Sequence, residues 1–419
     1  MLNSFLSIPA DSDFSIHNLP LGIFSTPDLS ARPGMALGEY IVHLTALQEC
    51  GLLTDGGEDL KKALHSSMLN ALMECGPAVW KGLRLRVQEL FSEGNQSLWK
   101  GTDPHSVLVK MDDASLHLPV HIGDYTDFYS SEYHAANVGA MFRDPQNPLL
   151  PNWKHIPVGY HGRSSSIVVS GTDFHRPYGQ FKAPADELPS FGASRQVDME
   201  LETAFIISRN TPLGSRIGVD EAENSIFGML LFNDWSARDL QSWEYVPLGP
   251  FLGKNFCSSV SPWVVSMDAL KPFRVAMPEK QEPEVLPYLQ QKNRWTYDIH
   301  LEAEFITADG QKKTITSSNQ KYLYWSMNQQ LAHHTINGCP MRIGDLLASG
   351  TISGPDPDSL GCLLEITRRG QNPVKFEDGS QRNFMQDGDR ITLRGFAGKD
   401  GIRVGFGAVS GKLLPALAF

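Results

Sequence analysis

From about residue 119 onward, short apolar runs alternate with Gly, Pro, Asn and Asp turns. They are SSIVVSG (165–171), VDMELETAFII (197–207), IFGMLLFND (226–234), YDIHLEAEFIT (297–307), CLLEIT (362–367), RITLRGF (390–396) and IRVGFG (402–407). Runs of this length and spacing predict a mostly antiparallel β architecture. None approaches the ~20 apolar residues of a membrane span. Thirty-seven glycines and 27 prolines supply the turns. One helix is predicted in this part, over 322–334 (YLYWSMNQQLAHH).

The preceding stretch has a different texture. MALGEYIVHL (35–44) predicts a hairpin turning at Gly38-Glu39. Leu60, Leu64, Met68 and Leu72 recur at i+4, one face of a helix. Val79, Leu83, Val87 and Phe91 repeat that pattern after Pro77, which suits a first helical turn. Residues 1–118 are therefore assigned to an N-terminal unit and 119–419 to a larger β-rich unit. A length of 419 residues accommodates two or three domains.

The formal charge of −11 argues against a nucleic-acid partner, which needs basic patches. Five scattered cysteines without a CxxC pair read as reduced thiols, so a cytosolic location is expected and a zinc site is not. MLNSFLSIPADSDF lacks the basic start of a secretory leader, and no membrane association is expected.

Within VDMELETAFII, alternation puts Asp198, Glu200 and Glu202 on one face and Val197, Met199, Leu201, Thr203, Phe205 and Ile207 on the other. The glutamates either face water or hold a cation. DIHLEAEF (298–305) echoes DMELETAF (198–205) in the pattern D-x-x-L-E-x-x-F, and Glu302 and Glu304 lie on the polar face of their strand much as Glu200 and Glu202 do. Periodicity does not separate the two readings and by itself favours a solvated face.

The surrounding motifs are more specific. HIGDYTDFYSSEYHAANVGAMFRD (121–144) carries Asp127, Tyr129, His134 and Arg143. VGYHGRSSS (158–166) follows, then FNDWSARDLQSWEYVPLGPFLGKNF (232–256), GDLLASGTISG (344–354) and Glu365 in CLLEIT. With SDFSIHNLPLGIFS (12–25) and VGFGAVSGKLLPAL (404–417), they resemble the fumarylacetoacetate hydrolase family along essentially the whole chain.

The resemblance implies a small SH3-like barrel ahead of a β-rich catalytic domain, within a mostly β, α+β fold. It implies a homodimer as well. The implied reaction is metal-dependent hydrolysis of a β-diketone C–C bond in fumarylacetoacetate, giving fumarate and acetoacetate. Asp127, Glu200, Glu202 and Asp234 would be the metal carboxylates, and Lys254 and Ser258 would occupy a second cation-associated position. Threonine is usual where this chain has Ser258. An all-oxygen set suits Ca²⁺ or Mg²⁺ over zinc. His134 would be the general base, oriented by Glu365, with Arg238, Gln241 and Lys254 as oxyanion donors. Tyr129, Arg143, Tyr160, Gln241, Tyr245 and Thr351 would contact a small oxo-acid substrate.

Alternatives remain open at this level. The same metal–enolate chemistry serves acylpyruvate hydrolases and oxaloacetate decarboxylases or tautomerases, and a fold can persist in a non-catalytic binding protein. GPFLGKN (249–255) is not a phosphate loop, since its spacing is short and Asn replaces the hydroxyl residue. His121 and His161 read as packing residues or as supports for site residues, His333 and His334 as capping or surface residues, Asp124 as a turn or cap residue, and Asp239 as a structural partner of a nearby base.

Overall fold

The computed structural model describes residues 2–53 and 56–418. Strands Leu21–Thr26, Leu29–Leu37, Tyr40–His43, Leu108–Lys110 and Ser115–His117 form a five-stranded antiparallel sheet. Leu37 pairs with Tyr40, so the predicted turn at Gly38-Glu39 is present, with Gly38 at φ +60°. Glycine at the first position of a two-residue hairpin loop meets this requirement at little steric cost.

The first predicted amphipathic helix is two shorter ones, Gly57–Leu64 and Asn70–Glu74. Between them the Ser66 hydroxyl accepts from Met68 N at 3.2 Å, a local bond that competes with the helix ladder. The break shifts the register, so Leu69 is buried in place of Met68. The second predicted helix is intact as Pro77–Phe91, with Leu83, Val87 and Phe91 buried.

An eight-stranded mixed sheet positions the candidate site. Its order runs Gly159–Gly162, Tyr125–Phe128, Leu346–Ala348, Leu201–Ile207, Ile226–Asn233, Ser258–Val260 and Ile167–Val169, with Val265–Ser266 also paired to Ile226–Asn233. Two of its pairings are parallel, Leu346–Ala348 with Tyr125–Phe128 and Ser258–Val260 with Ile167–Val169. A five-stranded sheet containing His300–Ile306, Lys312–Asn319, Arg390–Lys399, Ile402–Leu414 and Phe174–His175 packs on one face. Leu201, Phe205, Met229 and Leu231 meet Leu301, Phe305, Leu393 and Phe406 there. The opposite face, through Ala204, Ile206, Phe227 and Leu230, shares a core with Trp80, Leu83 and Val87 of the N-terminal helices. Trp80 and Phe227 meet edge-on at 5.1 Å. A sheet covered on both sides needs apolar residues at every strand position, so IFGMLLF does not alternate.

Three further elements depart from the sequence reading. The helix predicted over 322–334 is Met327–Thr335. A capping box between Ser326 and Gln329 starts it there, while Tyr324 N and Trp325 N donate to the Ser130 carbonyl. CLLEIT is not a strand, because Leu363–Ile366 is a short helix and only Cys362 is extended. VDMELETAFII is interrupted at Met199-Glu200. Val197–Asp198 pairs with Ser236–Ala237, Leu201–Ile207 pairs with Ile226–Asn233, and Glu200 bridges Cys362. Among the described residues no helix is long and apolar enough to cross a membrane, and all five cysteines are free.

His43 gives the N-terminal sheet a pH response. Its ring stands edge-on to Phe24 at 5.6 Å, and its buried Nε2 has no partner. Burial, aided by the nearby Arg32 charge, pushes its pKa from 6.5 down to about 4. The folded state therefore favours neutral imidazole. That contribution is complete above pH 6.5 and is lost as pH falls toward 4. His43→Phe should make the decline of Tm between those two values shallower than in the parent protein. Parallel Tm–pH curves would show that His43 does not contribute to acid sensitivity.

Candidate active site

Four acidic side chains converge at one end of the central strands. Asp127 lies on Tyr125–Phe128, Glu202 on Leu201–Ile207, Glu200 just before that strand, and Asp234 just after Ile226–Asn233. All four are buried. Ligand oxygens of Asp127, Glu200 and Asp234 lie within 4.8 Å of one another. Asn233 holds the Glu200 backbone, its side-chain oxygen accepting from Glu200 N at 3.0 Å.

Two buried cations counter these acids. Lys254 Nζ sits 2.5 Å from Glu200 Oε2 and 2.9 Å from Asp234 Oδ2. Arg238 reaches Glu200 Oε1 at 2.8 Å and Asp198 Oδ2 at 2.8 Å. Tyr160 donates to Asp234 Oδ2 at 2.6 Å and Ser258 donates to Oδ1 at 2.7 Å. Glu202 Oε2 accepts from Gly350 N at 3.0 Å.

Burial shifts each charge according to its partners. It would raise the Glu200 pKa, but Lys254 and Arg238 outweigh it and hold the carboxyl below its usual range. At Asp127 and Glu202 the Lys254 charge offsets too little. Burial, reinforced by Asp234 at Asp127 and by Asp127 at Glu202, pushes both well up. Burial would lower Lys254, but Asp234 and Glu200 reverse it and raise the ammonium.

Beside this cluster stands a histidine–carboxylate pair. His134, on the helix Glu132–Phe142, has Nδ1 2.6 Å from Glu365 Oε2. Asn137, one turn on, donates to Glu365 Oε1 at 2.9 Å. Ser353 Oγ lies 3.0 and 2.8 Å from the two carboxylate oxygens, and Cys362 Sγ lies 3.2 Å from Oε2. Burial works against the Glu365 charge, but His134 and these donors keep its pKa lowered. Cys362, whose backbone bridges Glu200, links the pair to the acids.

Comparison with known proteins decides the family. The fumarylacetoacetate hydrolase C-terminal profile matches residues 125–412, and the fumarylacetoacetase N-terminal profile matches 17–119. The chain belongs to the fumarylacetoacetate hydrolase family. It is 49% identical to the fumarylacetoacetase of Homo sapiens over 420 residues, 99% of each chain. It is 50% identical to that of Caenorhabditis elegans over 423 residues, 99% of this chain and 100% of the relative. A solved fumarylacetoacetate hydrolase from psychrophilic Exiguobacterium antarcticum shares the fold. Its TM-score is 0.53 at 17% identity, covering 95% of this chain and 99% of that one.

The structure brings most of the family-implied residues together. Asp127, His134, Tyr160, Glu200, Glu202, Asp234, Arg238, Lys254, Ser258 and Glu365 join through the contacts above. Gln241 accepts from Arg238 at 3.3 Å. The Tyr129 ring lies edge-on to His134 at 5.2 Å, and burial raises its phenol pKa. Thr351 is buried, with Oγ1 unpartnered.

Two members are placed differently. Arg143 is exposed and donates from Nε and Nη2 to the Pro148 carbonyl at 3.1 and 2.9 Å, although its charge still reaches Tyr129. Tyr245, after the helix Arg238–Glu244, is 50% exposed and is not buried with the rest.

The motifs give Asn233, Asn137 and Ser353 no role, and Asp198 enters only as part of the polar face of its strand. Asn137 follows His134 by three on a helix, a spacing that was available. Asp198 opens the alternating D-x-E-x-E run.

The residues fit a divalent cation. Asp127 Oδ1 and Glu202 Oε1 are buried without hydrogen-bond partners, and every carboxylate in the cluster offers hard oxygen donors. When bound, such an ion supplies Lewis acidity toward a carbonyl oxygen. Lys254→Met should therefore destabilise the chelator-treated protein by about 3–5 kcal/mol, the scale for a buried carboxylate left without its cation. Added divalent ion should recover more of that stability in the variant than in the parent, as read by denaturant unfolding. Equal ion-induced gains in the two proteins would contradict this placement of Lys254.

Proposed function

We propose that this chain hydrolyses the C–C bond of fumarylacetoacetate to fumarate and acetoacetate, the last step of tyrosine and phenylalanine breakdown. The His134–Glu365 pair beside a buried carboxylate cluster carries the reading, because it places a general base next to a cation site. Asp127, Glu200, Glu202 and Asp234 hold the ion, Ca²⁺ or Mg²⁺ given their all-oxygen donors. Lys254 and Ser258 flank them.

His134 removes a proton from water as the resulting hydroxide adds to the ketone carbon on the fumaroyl side. Glu365, already bonded to Nδ1, keeps Nε2 free to accept that proton and stabilises the imidazolium. Arg238, Gln241 and Lys254 receive the charge on the former carbonyl oxygen. The C–C bond then breaks, and its electron pair leaves with the acetoacetate fragment as an enolate. The His134 imidazolium returns its proton to that carbon to give acetoacetate, and the attacked carbon becomes the second carboxylate of fumarate. Tyr129, Tyr160 and Thr351 contact the substrate. Arg143 and Tyr245, the two exposed members, engage it from the solvent side, with Arg143 on a terminal carboxylate.

The division at residues 118 and 119 is our proposed domain boundary. We further propose a cytosolic homodimer. Trp243, Val246, Leu248, Phe251 and Leu252 form an exposed apolar run available to a second copy.

The direct assay follows loss of the conjugated-enone absorbance of fumarylacetoacetate. Turnover should vanish with chelator and return with Ca²⁺ or Mg²⁺. Activity on short oxo-acids alone would replace the substrate assignment. His134→Ala should lower kcat by about 100- to 10,000-fold, the range for a lost general base, while calorimetric calcium binding stays intact. Undiminished kcat would remove His134 from its role. Glu200→Gln should weaken calcium binding in the same titration, and an unchanged isotherm would refute its assignment as a ligand.

A further inference from the structure

Asp198 accepts four hydrogen bonds and is fully buried. Its Oδ1 takes Met199 N at 2.8 Å and Leu363 N at 2.7 Å. Its Oδ2 takes Leu364 N at 3.0 Å and Arg238 Nε at 2.8 Å. These donors come from three separate segments of the chain. Leu363 and Leu364 open the short helix that carries Glu365. Arg238 opens the helix that carries Gln241, and its Nη1 contacts Glu200. Asp198 itself precedes Glu200 by two residues.

We propose that Asp198 is a positioning residue that sets the distance between the His134–Glu365 base and the Arg238–Glu200 arm. The inference rests on the hydrolase reading above and adds a residue to it. Three geometric facts support it. The helix Leu363–Ile366 has only four residues and no cap from its own side chains, so its first amides depend on Asp198. Leu363 follows Cys362, whose extended backbone bridges Glu200, so the same carboxylate that caps the helix also ties it beside the acids. The Arg238 fork is divided between two carboxylates, with Nε on Asp198 and Nη1 on Glu200. Releasing Nε would free the guanidinium to rotate onto Glu200 alone. An asparagine at 198 has one acceptor oxygen, and its NH₂ would face backbone N–H or guanidinium donors.

The first readout is kinetic. Asp198→Asn should lower kcat by about 100-fold, the scale for an ångström-sized misplacement of reacting groups. KM should move by less than about threefold, since the substrate contacts remain, while calcium binding should weaken modestly as the released guanidinium competes for Glu200. In an Arg238→Gln background the same substitution should cost less than about fivefold, because one of the two arms it aligns is already lost. A full 100-fold loss in both backgrounds would overturn the proposal. So would a loss carried by KM or calcium affinity with kcat unchanged.

The second readout does not depend on turnover. Asp198→Asn should speed amide hydrogen exchange across 362–366 in the folded protein. Unchanged exchange would overturn the proposal even if activity fell. Absent turnover in the parent protein would count against the hydrolase reading, while accelerated exchange would still support the positioning role. Should Asp198→Asn fail to fold, Asp198→Glu keeps the charge with a longer reach. It should show a smaller kcat loss with the same dependence on Arg238, and independence from Arg238 would reject the idea.

Discussion

Placing several carboxylates together in a protein interior is the constraint on which the rest of this structure depends. Burial and mutual repulsion both favour the protonated form, as at Asp127 and Glu202. Glu200 escapes because Lys254 and Arg238 lie directly against it. The cluster is thus unevenly neutralised. One side is satisfied by fixed cations, and the other keeps two carboxylate oxygens without donors. That asymmetry suits a site meant to exchange an external cation. A fully paired network would have no affinity left for one, and an unpaired network would cost several kcal/mol per charge.

Holding such a cluster demands a rigid scaffold, and the sheet supplies it from both faces. The strand Leu201–Ile207 carries Glu202 near one end and then continues as Ala204 and Ile206 into the core shared with the N-terminal helices. Its other face, through Leu201 and Phe205, anchors in the core of the second sheet. A strand packed this way has little freedom to let like charges separate. The N-terminal helices therefore contribute to the site by covering the face of the sheet that would otherwise meet water.

Much of this was legible in the sequence, but not uniformly. The β texture and the hairpin at Gly38-Glu39 follow from local rules of turn chemistry and period. Glu200 and Glu202 were visible as an anomaly, yet the echo at Glu302 and Glu304 shows why the pattern alone could not interpret them. In the structure Glu302 is exposed opposite Arg394, whereas Glu202 is fully buried. Glu202 and Glu302 hold the same place in the shared D-x-x-L-E-x-x-F pattern, and what covers each one is a property of the tertiary fold. The 231-position gap between His134 and Glu365 is of the same kind. Family resemblance could suggest that pair, but no spacing rule could.

The misread CLLEIT segment shows how tertiary contacts decide local structure. Its apolar residues suit either a strand or a buried helix. Asp198, 165 positions away, settles the matter by accepting from two successive amides, Leu363 N and Leu364 N. A strand would point those amides to opposite sides, whereas the first turn of a helix points both one way. The helix in turn presents Glu365 to His134 while Cys362 remains extended against Glu200. A change of conformation over one residue thus separates the segment's two tasks, pairing with the metal-side acids and orienting the base. The propensities of the segment are weak enough for a single buried carboxylate to choose between them.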